Sequence, residues 1–321
     1  MNDRRETPGL ASGRREPGRP GSGARADLLA VLAVANWGLS YGLTKLAFRE
    51  WRPLVFTGTR FLAMAAIALV VLSVQGRLGA IVGPDRARFA LGGLFGFTLY
   101  QLGFTLGLDR TSAFASTLLL TTVPLFSLLF LRLGGVESVG RRQWTGVGLA
   151  MAGILLFVSG TSGGLRLTEA RVGDLLSLGA AASFALYGIV NKPLAARHPA
   201  STVLAGTLLI GSVPLVPLGL LGSAGQSWKA ISPSGWAIWI YAVVFPIYLA
   251  YTWWTAAIAL RGVAAIAPYI LLVPIVGGLF ALVWLGETVG FLSGAGAALT
   301  LLGLAQSRGW LPRRRRRSSN A

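Results

Sequence analysis

A few polar side chains lie inside long apolar segments of this chain, and their types and spacing could do chemistry. Two trios of them recur at every fourth position, namely Asn36, Ser40 and Thr44, and Ser183, Tyr187 and Asn191. This spacing places each trio along one face of a helix. Two such faces predict the wall of a water-filled cavity, although small polar residues in apolar helices also hydrogen-bond to neighbouring helices.

Aromatic, hydroxyl and amide side chains near these trios could complete such a cavity. Aromatic rings stack on apolar parts of a ligand, and their polar tips orient it. The alternative role of the aromatic residues is helix packing or anchoring at a membrane interface. The further candidates for a small-molecule cavity are Trp37, Tyr41, Tyr100, Gln101, Thr117, Thr121, Tyr248, Tyr251, Trp254 and Tyr269.

Arg60 is a charged side chain well inside an apolar segment. A charge at the centre of a membrane helix costs about 2.5–3.5 kcal/mol, so its presence needs a physical reason. Two reasons stay open at this point: Arg60 belongs to a positive vestibule that attracts carboxylates, or it pairs with Glu50 or Asp109. An amino acid would suit a basic group with hydroxyl and amide neighbours, whereas an organic cation would require an acid.

The composition argues against several kinds of chemistry. The chain has no cysteine and one histidine, His198, in a predicted loop, and all 11 acidic residues fall in predicted tails, loops or helix ends. Membrane enzymes need histidine clusters, paired acids or a nucleophile with its base. We therefore predict no catalytic residue, no metal site and no cofactor. A proton relay through an embedded acid is also missing, which favours gradient-driven flux or exchange.

The elements that must position these residues follow from hydropathy. The 321 residues are 54% hydrophobic and 12% charged, which is far less charge than a soluble protein carries. Apolar segments of about 18 or more residues recur, each long enough to cross a bilayer, and lipid requires their backbones to be helical. We predict an all-α membrane protein with ten transmembrane helices, at roughly 28–47, 54–74, 88–107, 112–132, 143–160, 173–193, 201–222, 236–257, 263–284 and 290–307.

The two halves of the chain carry the same pattern. Pro124 and Glu137 recur about 150 residues later as Pro274 and Glu287, and several glycines follow the same offset. Each proline removes a backbone donor in mid-helix, which predicts a kink or hinge. Each glutamate is expected to cap the helix that follows it.

The repeats are predicted to span residues 27–160 and 172–307, with five helices in each. Because five is odd, the second repeat must enter the membrane upside down relative to the first. Such inverted repeats are the architecture that many secondary transporters use for alternating access. We therefore expect a carrier with its cavity between the two repeats.

Two tails are predicted outside the repeats. Residues 1–26 are rich in Gly, Pro, Ser and Arg and are expected to be disordered, and residues 308–321 form a basic tail. Loop lysines and arginines concentrate on the side of both tails, so both termini are predicted to be cytoplasmic. We therefore attribute the formal charge of +18 to the orientation of the protein in the membrane. Membrane lipid is a predicted partner, and nucleic acid is not.

Three stretches resemble the EamA family of the drug/metabolite transporter superfamily, and the resemblance covers about residues 27–307. They are GDLLSLGAAASFALYGIVNK, TSAFASTLLLTTVPLFSLLFLRLGGVES and ALRGVAAIAPYILLVPIVGGLFALVWLGET. The resemblance implies a ten-helix carrier of the bacterial inner membrane that exports amino acids or related metabolites, similar to exporters of aromatic and neutral amino acids. A multidrug or organic-cation exporter of the same superfamily stays open as an alternative function. The protein is expected to be a monomer or a homodimer.

Overall fold

The computed structural model describes residues 22–134, 140–160 and 168–310, and within these ranges the chain is helical without strands. Glu137 and most of both predicted tails lie outside the described residues. Residues 22–26, which were predicted to belong to the disordered tail, are helical instead. The long helices are α1 Ser22–Ala47, α2 Pro53–Val74, α3 Arg86–Arg110, α4 Ala113–Leu133, α5 Arg141–Ser159, α6 Glu169–Arg197, α7 Ala200–Gly222, α8 Pro233–Arg261, α9 Ala267–Trp284 and α10 Phe291–Ser307. Shorter helices at Leu78–Val82 and Val263–Ile266 precede α3 and α9.

Eight helices in the described ranges are long and apolar enough to cross a membrane, namely all the long helices except α5 and α10. Helix α10 is a shorter apolar helix, and α5 begins with two arginines. The total of ten spans therefore remains a prediction. Large apolar side chains on the outside of the bundle, such as Val74, Leu221 and Phe291, are mostly exposed. An apolar exterior of this kind suits hydrocarbon and would be costly in water.

Helices α5 and α10 lie antiparallel and touch through glycine. A Cβ built on Gly146 would lie 2.3 Å from the backbone nitrogen of Ser307, and one built on Gly296 would lie 2.2 Å from the backbone nitrogen of Phe157. The two contacts are equivalent under the sequence repeat, since each pair maps onto the other at the offset of about 150 residues. The helices therefore meet backbone to backbone, as small residues allow in membranes.

The two halves also make equivalent helix pairs across the centre of the molecule. Helix α1 packs on α8 and α9, while its equivalent α6 packs on α3 and α4, and α2 packs on α7. The α3–α6 contact is close because Gly103 faces the backbone of Leu176, and Gly107 faces Gly173. The chain is thus a bundle in which each half supplies one partner of every central pair.

Helices α3 and α8 each lose their α-helical regularity near the middle. A π-helical segment occupies Leu94–Leu99 in α3, and another occupies Phe245–Leu249 in α8. They stand at equivalent positions of the two repeats. π-helical turns are rare and are found frequently at functional sites.

Helices α4 and α9 are interrupted before their prolines rather than bent at them. In α4 a turn at Thr121–Thr122 precedes a new helical segment that contains Pro124 in its first turn. In α9 a 3-10 segment, Ala267–Leu271, precedes the α-helical segment that contains Pro274. Both prolines therefore lie in the first turn of a restarted helix, where a missing N–H costs little. The predicted kink is a break between two segments in each case.

Candidate functional site

A cavity of about 370 Å³ lies between the two halves. Helices α1 to α4 supply one side and α6 to α9 the other, while the α5–α10 pair contributes no described lining residue. Its volume is at the lower end of the range of small-molecule sites. It is lined by Trp37, Ser40, Tyr41, Thr44, Arg60, Gly96, Phe97, Tyr100, Gln101, Phe104, Leu120, Thr121, Val123, Pro124, Phe184, Tyr187, Leu204, Pro246, Ile247, Tyr251, Trp254, Ile270 and Val273.

Arg60 is the charged residue in this lining, and its side chain is almost fully buried. Its Nη2 donates to Oε1 of Gln101 over 2.7 Å. The guanidinium also lies 5.7 Å from the ring centre of Phe56 and 5.3 Å from that of Phe61, within the range of cation–π attraction. No hydrogen-bond partner in the described part of the chain reaches its Nε.

Aromatic rings from both halves form much of the wall. The rings of Trp37 and Trp254 meet at 5.4 Å between centroids, and the ring of Tyr41 meets that of Phe104 edge-on at 5.4 Å. The indole N–H of Trp37 donates to the backbone oxygen of Pro246 over 2.8 Å. That carbonyl belongs to the π-helical segment of α8, so the irregular backbone is directly tied to the cavity wall.

The structure brings the central residues of the predicted site together. The predicted residues that line the cavity are Trp37, Ser40, Tyr41, Arg60, Tyr100, Gln101, Thr121, Tyr187, Tyr251 and Trp254, together with Pro124. Of the two helical stripes, Ser40 and Thr44 face it from α1 and Tyr187 faces it from α6. The hydroxyls of Ser40 and Thr121 donate to backbone oxygens of their own helices, at 2.7 and 2.8 Å.

Other predicted site residues lie outside the lining, and their side chains hydrogen-bond to groups outside the cavity. Asn36 accepts the hydroxyl of Tyr241 at 2.9 Å on its side-chain oxygen. The hydroxyl of Tyr248 donates to the backbone oxygen of Met64 at 2.9 Å, and that of Thr117 donates to the backbone oxygen of Ala113. The bonds of Asn36 and Tyr248 join different helices, whereas the bond of Thr117 lies within α4.

Four further predicted residues are separate from the cavity. The hydroxyl of Tyr269 donates to Asp27 at 2.8 Å, beside an ion pair between Asp27 and Arg261. Ser183 and Asn191 are buried on α6, and neither the hydroxyl of the first nor the amide oxygen of the second has a hydrogen-bond partner within the described ranges. Pro274 is buried in α9, outside the lining.

Several lining residues were not predicted from the sequence. Most are apolar, such as Phe97, Phe184, Leu204 and Ile270, and nothing in an apolar segment distinguishes them from lipid-facing residues. Pro246 offered a signal that was missed, since a proline inside an apolar segment frees backbone groups. The glycine at position 96 is also part of the lining, and a Cβ there would collide with the ring of Tyr187 at 2.2 Å.

Carboxylates lie at the ends of the helices, away from the cavity. Glu287 accepts from the backbone nitrogens of Ala113 and Phe114, at 2.6 and 3.1 Å, and so caps the start of α4. The expectation that it caps the helix after it was therefore wrong, because the chain turns back and brings α4 closer than α10. Glu50 similarly accepts from the backbone nitrogen of Ser232, the N-cap residue just before α8.

Asp85 connects the segment before α3 to the segment between α6 and α7. It pairs with Arg197 at 2.7 Å, with Arg88 at 3.0 Å and with the ring of His198 at 3.1 Å. The hydrogen bond from His198, followed by those from Arg88 and Arg197, lowers the pKa of the Asp85 carboxyl from its ordinary value of 3.8. The lone histidine therefore has a structural partner, on a loop outside the apolar helices.

The apolar exterior, the central helix pairs and the cavity define an all-helical membrane protein built from two related halves. A family model described as the EamA-like transporter family matches residues 24–159 and again residues 171–307. The chain therefore belongs to the EamA-like transporter family, as the sequence resemblance indicated, and is a membrane transporter.

Named relatives show a similar extent of match. A protein of Salmonella typhimurium named "Probable amino-acid metabolite efflux pump" is 28% identical over 86% of this chain and 92% of its own length. A protein of Streptantibioticus cattleyicolor named "Probable terminal-alkyne amino-acid exporter" is 28% identical over 92% of this chain and 98% of its own length. A solved crystal structure shares 20% identity with a TM-score of 0.58, covering 88% of this chain and 96% of its own, which supports the fold.

Proposed function

We propose that this protein exports amino acids or related small metabolites across the bacterial inner membrane, through the central cavity and by alternating access. The observation that carries the proposal is the cavity between the two halves, which combines aromatic walls with the buried guanidinium of Arg60. Its volume of about 370 Å³ suits a metabolite of amino-acid size and excludes larger lipids. The relatives named as amino-acid exporters support the same substrate class.

The irregular helix segments support alternating access as the mechanism. Both π-helical segments contribute to the cavity wall, through Gly96 and Phe97 on one side and Pro246 and Ile247 on the other. They belong to opposite halves, and hinge motions are absorbed at a few backbone positions, often where a regular element ends. In this proposal the two halves rock about the cavity, and both termini stay in the cytoplasm.

The coupling proposed here is gradient-driven export or exchange. No carboxylate and no histidine is among the described residues that line the cavity, and embedded acids or histidines are the groups that relay protons through transporters. A substrate that accumulates in the cytoplasm would leave down its own gradient. A pH gradient alone is expected to drive no accumulation.

Counterflow in proteoliposomes tests the proposal. Vesicles loaded with unlabelled L-phenylalanine are expected to take up labelled L-phenylalanine transiently above its external concentration. Ser40→Trp fills the cavity from α1 and should abolish the signal, whereas Leu155→Trp places the same ring on the exposed side of α5 and should retain it. If an organic cation such as tetraphenylphosphonium showed counterflow and amino acids showed none, the result would favour the multidrug alternative and contradict the proposal.

A further inference from the structure

Arg60 carries a positive charge into the cavity without a negative partner. Gln101 is its hydrogen-bond acceptor, at 2.7 Å, and the described residues that line the cavity include no carboxylate. Glu50 and Asp109, the acids that the sequence suggested as partners, are engaged elsewhere: Glu50 with Ser232, and Asp109 beside Arg110. A buried, uncompensated charge is costly in a low-dielectric interior. Arg60 therefore lacks its counter-charge within the described part of the chain.

The guanidinium fork of Arg60 is held in one orientation at the cavity wall. Nη2 is held by Gln101, while the rings of Phe56 and Phe61 flank the group, so its orientation is set by its neighbours. Nε is buried and has no acceptor in the described residues. Carboxylates bind such a fork with two parallel hydrogen bonds, which gives both energy and geometric selection.

A substrate ammonium group finds no comparable partner. The polar groups that remain in the lining are hydroxyls such as Ser40, Thr44 and Thr121, with the phenols of the tyrosines and the indoles of Trp37 and Trp254. A hydroxyl oxygen attracts a cation by about 1.5–3 kcal/mol and a ring face by about 0.5–2 kcal/mol, but both also accept neutral donors. The charge complementarity of the cavity is therefore directed to the acid end of a substrate.

We propose that the cavity recognises its substrate through the carboxylate, held by Arg60 and Gln101, and that the α-ammonium group is dispensable. The substrate class is then an aromatic or apolar monocarboxylate, of which the amino acid is one member beside its 2-oxo, 2-hydroxy and deaminated analogues. This inference rests on the proposed transport function and narrows its substrate. The aromatic wall contacts the side chain of the substrate. The cavity discriminates little between substituents on the α-carbon.

Ligand competition on the full-length protein in lipid nanodiscs tests the inference. The probes are L-phenylalanine, 3-phenylpropionate, phenethylamine and L-phenylalaninamide, each measured by displacement of labelled L-phenylalanine or, if that does not bind, by direct calorimetry. We expect 3-phenylpropionate to bind within about tenfold of L-phenylalanine. The amine and the amide should bind about 10- to 100-fold more weakly, the loss expected for a missing charged hydrogen bond.

Two variants link the selectivity to the guanidinium. Arg60→Gln removes the charge and should weaken the binding of L-phenylalanine and 3-phenylpropionate about 10- to 100-fold. The binding of phenethylamine should stay unchanged. Gln101→Glu gives Arg60 a carboxylate partner within the protein. The variant should therefore remain stable, but binding of the acid ligands should again be lost. Gln306→Glu makes the same chemical change on α10, where Gln306 bonds to Thr145, and should alter neither binding nor stability.

The possible results separate this inference from the proposed function. Transport of L-phenylalanine combined with equally tight binding of phenethylamine would overturn the inference and leave the exporter proposal standing. Arg60-dependent binding of 3-phenylpropionate without amino-acid transport would uphold the inference and contradict the amino-acid assignment. Failure of every carboxylate to bind the stable wild-type protein would overturn both.

Discussion

The indole N–H of Trp37 donates to the backbone oxygen of Pro246, which lies 209 residues further along the chain, over 2.8 Å. The donor belongs to α1 of the first half, and the acceptor belongs to the π-helical segment of α8 in the second half. A backbone carbonyl of the irregular segment thus accepts a side-chain donor from the opposite half. This bond joins the two halves at the cavity wall.

Removing this donor should destabilise the contact between α1 and α8. Trp37→Phe keeps an aromatic ring but leaves the Pro246 carbonyl without its partner, which is expected to cost about 1–3 kcal/mol. The expected result is a lower melting temperature in nanodiscs. Trp254→Phe is the matched control, because the ring of Trp254 contacts Trp37 while its indole N–H bonds to no protein atom of the described residues. Equal melting temperatures for the two variants would contradict the role assigned to this bond.

The glycine contact between α5 and α10 gives a second prediction. A Cβ at Gly153 would lie 2.4 Å from the backbone nitrogen of Thr300, so Gly153→Ala must push the helices apart. Overpacking of this kind costs about 1–3 kcal/mol. Gly148 is on the same helix and a Cβ there meets nothing within 4 Å, so Gly148→Ala should be neutral or stabilising by up to about 1 kcal/mol. Thermal unfolding of both variants measures the difference, and a Gly153→Ala protein as stable as wild type would rule out this close packing.

Glu287 provides a third prediction, at the start of α4. Glu287→Ala removes both acceptor contacts to the backbone nitrogens of Ala113 and Phe114 and a favourable charge at a helix N-terminus. The loss should amount to about 0.5–2 kcal/mol. Glu169→Ala is the control for the direct contacts, because Glu169 is also an acid in the first turn of a helix, α6, but its side chain is largely exposed and pairs with Arg110 at 3.4 Å. Comparable stability of the two variants in thermal unfolding would show that the cap contributes little.

Asp85 gives a prediction about pH. Because its partners His198, Arg88 and Arg197 lower the pKa of its carboxyl below 3.8, the folded protein binds a proton at Asp85 less readily than the unfolded chain. The stabilisation is therefore present above about pH 4 and is lost as pH falls through the folded pKa. Asp85→Asn should melt at a lower temperature than wild type at pH 7, and the difference should shrink towards pH 3.

The same pH series can be run on a control carboxylate. Asp109→Asn changes a half-exposed side chain whose nearest described guanidinium, that of Arg110, lies 3.9 Å away. Surface ion pairs of this kind contribute little, so its melting temperature should follow that of wild type at both pH values. If Asp85→Asn also followed wild type at pH 7, or if its deficit persisted unchanged at pH 3, the carboxylate charge would not be the source of stability.

The sequence by itself determined the helical class, the two repeats and the membership of the EamA-like family. These features depend on composition and on spacing along one chain, which a sequence shows directly. It also singled out Arg60, because a charge within an apolar segment stands out against its surroundings. An irregularity in α4 near Pro124 could also be predicted from the sequence, because a proline inside a helix removes a backbone hydrogen bond and clashes with the preceding turn.

Only the tertiary structure decided which polar residues face the cavity. Asn36 and Ser40 share one helix face. Asn36 nevertheless accepts a hydrogen bond from Tyr241 of the other half, while Ser40 lines the cavity. Helical spacing gives a direction around the helix axis, but the neighbour in that direction comes from a distant part of the chain. The same limit explains Glu287, whose partner is α4 rather than the helix after it.

The apolar lining, such as Phe97 and Phe184, was also decided by the tertiary structure alone. In a soluble protein, hydropathy separates the inside from the outside because water surrounds the fold. In a bilayer the outside is hydrocarbon, so a ring that faces a substrate and a ring that faces lipid carry the same hydropathy. The cavity therefore becomes visible only when the two halves are placed against each other.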